Sequence, residues 1–121
     1  MVSILYLSSL EIDELQDKFQ KACENDEIEE VKSLLQLEGN KRINNTTAEE
    51  GFHIACEENS IKVAKYLLDL NDDRRITDLE VIEQEAYEAY MDDRPDILNL
   101  ILSLNDERKL SDKCIEELTD K

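Results

Sequence analysis

The chain has 121 residues, 40% of them hydrophobic and 37% charged, with 31 Asp and Glu against 14 Lys and Arg for a formal net charge of −17. That length suits one domain, in which folding buries roughly two-thirds of the surface. Two glycines and one proline are too few for the turns of an all-β protein, and the charge repels nucleic-acid phosphates, so the expectation is an all-α chain whose partner, if it has one, is basic.

Met1 to Leu7 is apolar but too short for a signal sequence, and it lacks a basic start and a small-residue cleavage site. No stretch approaches ~20 apolar residues, so no membrane span is expected. Residues 1–12 read as an N-terminal cap. Three helix pairs are predicted next: Asp13–Glu24 with Glu27–Leu37, Thr47–Glu57 with Ser60–Leu70, and Asp78–Met91 with Pro95–Leu104. Residues 111–121 read as a partial capping helix. The whole chain is thus read as a single repeat domain, with repeats at about 13–45, 46–78 and 79–110.

The repeat is visible by direct alignment. Phe19–Ile43 laid over Phe52–Ile76 gives eleven identities in 25 positions at an offset of 33. A weaker third copy follows at 34, keeping Ala89, Ile101, Leu102, Leu104 and Arg108, and Leu110-Ser111-Asp112 starts a fourth. Within each copy the apolar residues recur at helical spacing. In the second copy Phe52, Ala55 and Cys56 share one helix face, and Ile61, Ala64, Leu67 and Leu68 share another. Asp26, Asn59 and Asp93 stand between the helices of the three pairs, where a tight turn needs a left-handed residue, and Asn and Asp tolerate that conformation best after glycine. Capping-box spacing occurs at Ser8/Glu11, Thr47/Glu50 and Thr77/Glu80. Pro95 suits the first turn of its helix.

Candidate chemistry is sparse. His53 is the only histidine, which removes most hydrolytic triads for want of an imidazole base. His53 and Cys56 lie at i, i+3, but two ligands fall short of the four or so that structural zinc uses. The three cysteines, Cys23, Cys56 and Cys114, are odd in number and widely spaced, which suits a reducing, cytoplasmic setting. Cys23 and Cys56 occupy equivalent positions on helices expected roughly 8–10 Å apart, beyond the ~7 Å limit for a disulfide. They read as small buried apolar residues, with Cys114 more exposed. No Gly-rich phosphate loop, cofactor site or metal site is read, and the chain is not expected to be an enzyme.

The charges have a pattern. Acids crowd the first helices and the turns after them, either as a solvated face or as a trough for a basic segment. Lys41-Arg42, Arg74-Arg75 and Arg108-Lys109 recur at 33 and 34. They read first as structural cations at helix C-termini with nearby Asp partners, and second as a basic ridge.

The segment GFHIACEENSIKVAKYLLDLN, Gly51 to Asn71, resembles the ankyrin repeat, with Phe52-His53-Ile54-Ala55, Cys56, Asn59, Val63 and Leu67-Leu68 in the family's slots and a 33-residue period. The resemblance covers Asp13 to Leu110. It departs in lacking Thr-Pro before the His motif. It also has Asn-Asp-Asp-Arg-Arg and Asn-Asp-Glu-Arg-Lys in place of the Gly-Ala-Asp-x-Asn segment, so shortened or replaced β-hairpin fingers are expected. It implies a short stack of antiparallel helix pairs, a structural role for His53 in bonding neighbouring loops, and a protein–protein interaction module binding through its exposed first-helix face. On that face the matched positions are Asp13, Glu14 and Glu24, then Thr47, Glu49, Glu57 and Glu58, then Glu80, Glu83, Met91 and Asp92. The expected partner is a protein with a basic segment, with no nucleic acid and no membrane, and the chain a monomer or weak homodimer. The alternatives are a homo-oligomeric assembly protein using Ile4, Leu5, Tyr6 and Leu7 or Ile115 and Leu118, and an adaptor delivered into a host cell as an effector.

Overall fold

The structure is a computed structural model and describes residues 4–119. The described residues form α-helices with one 3-10 turn and no strands. They divide into two compact units, Met1–Ile76 and Thr77–Lys121.

The first unit holds α1 (Ile4–Ser8), α2 (Ile12–Glu24), α3 (Ile28–Leu35), a 3-10 turn (Gly39–Lys41), α4 (Asn45–Glu57) and α5 (Ile61–Leu68). Helices α2 and α3 pack together as one pair and α4 and α5 as the next. Like packs on like between the pairs: α2 lies on α4, α3 on α5, and α1 on α3. The core between them is the predicted stripe with one change: Phe19, Ala22, Cys23, Leu34, Phe52, Ala55, Cys56, Ala64 and Leu67 are fully buried, while Ile61, expected on the α5 face, is half-buried and Val63 takes a core place instead.

The second unit holds α6 (Leu79–Met91), α7 (Pro95–Leu102) and α8 (Asp112–Thr119), with α7 and α8 both packed on α6. Ile82, Ala86, Ala89, Ile97, Ile101 and Leu118 form its buried apolar residues. Every predicted helix is present, each beginning or ending within three residues of its expected bound.

The turns inside the pairs are built alike. Asp26, Asn59 and Asp93 have φ of 56°, 59° and 56°, the left-handed conformation expected of them. In each turn the next residue's N–H reaches five residues back: Glu27 to the Ala22 carbonyl, Ser60 to Ala55 and Arg94 to Ala89, at 2.7–2.9 Å. These bonds satisfy carbonyls that a helix end leaves open. The first two turns are also tied to each other. Asp26 Oδ1 accepts from the Val63 N–H of α5 at 3.0 Å, and the Ser60 hydroxyl donates to the Glu24 carbonyl at 3.0 Å.

The helix starts differ from the capping boxes read in the sequence. Helix α4 is capped by Asn44, whose Oδ1 accepts from the Thr47 N–H at 2.9 Å, so Thr47 lies inside the first turn. Helix α6 is capped by Asp78, which accepts from Glu80 N–H at 3.0 Å, and not by Thr77. Ser8 ends α1, and the Glu11 N–H donates to Glu14 Oε1 at the start of α2. Asn and Asp outrank Thr as N-caps, and in both cases one stood within three residues of the Thr.

After α5 and after α7 comes an Asp-x-Arg clamp. Arg74 is 7% exposed; its N–H and Nε donate to Asp72 Oδ1 at 2.9 and 3.3 Å and one Nη to Asp72 Oδ2 at 2.7 Å. Its other Nη donates to the Leu35 carbonyl at 3.0 Å, the open end of α3 one copy back. Arg108, 3% exposed, repeats the grip on Asp106. The structural reading of these cations therefore holds for both arginines, and neither lies on a surface ridge.

The Arg74 guanidinium holds the Asp72 carboxyl at about 2, against 3.8 ordinarily. A carboxyl depressed in the folded state stabilises it above the unfolded value and loses that contribution as pH falls through the folded one. Asp72→Asn is therefore expected to cost stability at neutral pH, with the difference from the parent closing between about pH 4 and pH 2. Urea midpoints measured across that range check it, and a difference that does not depend on pH would mean the clamp works through geometry alone.

Candidate interaction surface

The eleven residues matched to the binding face fall on both units. On the first, Asp13 and Glu14 stand exposed in the opening turn of α2 and Glu24 at its end. Glu49 is half-buried on α4, and Glu57 and Glu58 are exposed where α4 ends. Glu57 Oε2 lies 3.4 Å from His53 Nε2, one turn earlier and also exposed. Thr47 is the exception: at 6% exposure its side chain is buried, because α4 starts earlier than its motif suggested. On the second unit Glu80, Glu83, Met91 and Asp92 are all exposed, Met91 at 76%. Asp92 Oδ2 is 3.1 Å from an Arg94 Nη.

Helix α6 carries a shallow hollow of about 270 Å³, lined by Glu80, Glu83, Gln84 and Tyr87. The Tyr87 hydroxyl donates to Glu117 Oε2 on α8. That bond, made to the protonated phenol, pushes the tyrosine's ionisation above its ordinary range. The hollow is thus lined by two glutamates and a neutral phenol, a surface that suits a cationic side chain by charge.

A second hollow of about 160 Å³ lies in the first unit beside Ile12, Leu15, Gln16, Lys41, Arg42 and Thr47. Its cations are engaged within the chain. Lys41 donates to the Leu10 carbonyl, and Arg42 grips Asp73 with two bonds at 3.1 and 2.5 Å.

His53 and Cys56, considered together as ligands, do not share a face: His53 is exposed and Cys56 fully buried. Cys114, expected to be the exposed cysteine, is 5% exposed on α8. Burial raises the Cys114 and Cys23 thiols, the latter to about 12, which favours the protonated form of both. Cys23, Cys56 and Cys114 are not joined in disulfides. Of the terminal apolar residues, Leu7 and Leu118 are buried within their own chain, while Tyr6 is 52% exposed.

Two features had no counterpart in the sequence reading. Gly51 of α4 packs against Phe19 and Cys23 of α2 with no room for a Cβ, and the Tyr87–Glu117 bond joins helices whose partial repeat gave no sign of it. Gly51 had a signal: a helix-interior glycine is costly and calls for a packing reason. Among the described residues no helix is long and apolar enough to cross a membrane. No protein-family model, curated protein or solved structure matches this chain.

Proposed function

We propose that the chain is a non-catalytic, ankyrin-like interaction module that holds a protein partner through a basic segment. The observation that carries this reading is the division of labour on the first helices. Their repeated apolar residues, Phe19, Ala22 and Cys23, Phe52, Ala55 and Cys56, and Ala86 and Ala89, are buried, while Glu24, Glu57, Glu58, Glu80, Glu83 and Asp92 all stand exposed, with Met91 an exposed apolar residue among them. The ankyrin-like part rests on the 33–34 period and on the pairing of like helices in the first unit.

Charge then carries much of the encounter. At ~0.15 M salt the screening length is about 8 Å, so opposed faces still attract at contact distance. Capture of a partner by the intact chain, with association followed at rising salt, tests the reading. The on-rate is expected to fall with salt and the off-rate to change less. Glu57→Lys with Glu58→Lys should slow association several-fold while leaving helical content unchanged, since both side chains face solvent. An on-rate indifferent to salt and to these substitutions would reduce the acidic face to a solubilising coat.

A further inference from the structure

Helix α1 has the marks of a second helix. It packs on α3 as α3 packs on α5. Its Tyr6-Leu7-x-x-Leu10 aligns with Tyr66-Leu67-x-x-Leu70. The closing bond is the same in every case: Leu10 N–H to the Leu7 carbonyl, Leu37 to Leu34, Leu70 to Leu67 and Leu104 to Ile101, at 3.1–3.3 Å. Lys41 reaches back to the Leu10 carbonyl much as Arg74 reaches back to Leu35. Helix α8 has the marks of a first helix. It follows the repeated Ser111-Asp112 start and packs on α6 as α4 packs on α2. A first-helix type and a second-helix type together make one pair.

Two surfaces show where such a pair would join. On α3, Val31 and Leu35 are 0% and 6% exposed, and their counterparts Ala64 and Leu68 on α5 are 0% and 1% exposed. The same two positions on α7 are Leu98 and Leu102, and both are partly open. On α5, Tyr66 is the residue that faces the preceding second helix, since Lys32 of α3 sits 5.4 Å from its ring. Its counterpart on α1 is Tyr6, which is 52% exposed although Lys18 of α2 lies 5.7 Å from its ring.

From this register we infer that the chain associates head to tail with a second copy of itself, Tyr6 of one copy's α1 packing on Leu98 and Leu102 of the other's α7, so that α8 and α1 complete a helix pair between them. The contact would reproduce in trans the α3–α5 packing already present in the first unit. It is heterologous, since it pairs two different surfaces of the chain. It goes beyond the basic-partner reading and differs from it in sign. Each copy carries −17, so added salt relieves repulsion and strengthens self-association, whereas it weakens capture of a basic segment.

Mass in solution, measured on the full chain over a range of concentration and salt, tests the inference. The mass is expected to rise above that of one chain with concentration, and more so in added salt. Tyr6→Glu lies at an exposed position and should weaken association by roughly tenfold or more without loss of helix. Leu98→Glu with Leu102→Glu should do the same from the other end. Each variant keeps one sound end, so the two mixed together should form a one-to-one complex that neither forms alone. A parent that stays monomeric at every concentration and salt, a Tyr6→Glu protein that associates like the parent, or a mixture that gives no complex would each overturn it.

Discussion

Leu67→Ala is expected to be among the most damaging single substitutions in the chain, lowering stability by roughly 2–5 kcal/mol. Leu67 is fully buried on α5, and its counterparts Leu34 and Ile101 are fully buried as well. The residue sits where the core of its own pair meets that of its neighbour, since α5 packs on both α4 and α3. Removing its branched end leaves a cavity whose walls are helices already fixed by other contacts, so little collapse can offset the loss. Urea denaturation followed by helical circular dichroism reads the effect. Leu67→Met, which keeps the volume, should cost less than about 1.5 kcal/mol and serves as the control. A Leu67→Ala midpoint equal to that of the parent would show that the position is not central to the core.

Gly51→Ala should be nearly as harmful, although alanine is ordinarily the better helix former by about 1 kcal/mol. A methyl at Gly51 would lie 2.5 Å from Phe19 Cε2 and 2.8 Å from Cys23 Sγ on α2, closer than packed atoms can come. Both of those side chains are fully buried, so neither can swing aside without disturbing the core. Overpacking of this kind costs typically 1–3 kcal/mol. The diagnostic experiment is the double substitution. Cys23→Ala removes one of the two obstructing atoms, so Gly51→Ala should cost measurably less in that background than in the parent. Equal costs in both backgrounds would place the whole clash on the Phe19 ring, and Phe19→Leu would then be the rescuing change.

What could be read from the residues followed from the repeat. Once Phe19, Ala22, Cys23 and Leu34 were aligned with Phe52, Ala55, Cys56 and Leu67, helical spacing within each copy placed every one of them in the core, and all are buried. The left-handed turns were legible for a similar reason: Asp26, Asn59 and Asp93 recur at one place, and few other residue types accept that backbone. Features that depend on one copy alone were not legible. Asn44 displaced Thr47 as the cap of α4 because side chains compete for the same open N–H groups, and spacing alone does not rank the competitors. That displacement also carried Thr47 off the exposed face. The burial of Cys114 and the bond between Tyr87 and Glu117 arise from how α8 lies on α6, where the repeat was down to a few residues.

The paired bonds between the first two turns bear on the order in which the chain acquires its structure. Asp26 receives the Val63 amide, and Ser60 is held by the carbonyl of Glu24, across 37 and 36 residues of sequence. Helix α5 spans eight residues, too short to persist by itself in water. Its leading end is closed by a side chain that comes into position only once α2 has ended and turned into α3. Formation of the second hairpin is thereby made contingent on the first, and the two should melt together as one cooperative block. In hydrogen-exchange terms, the Val63 amide should open no more easily than the amides of α2 and α3, despite lying in the first turn of a short helix, where fraying is otherwise the rule.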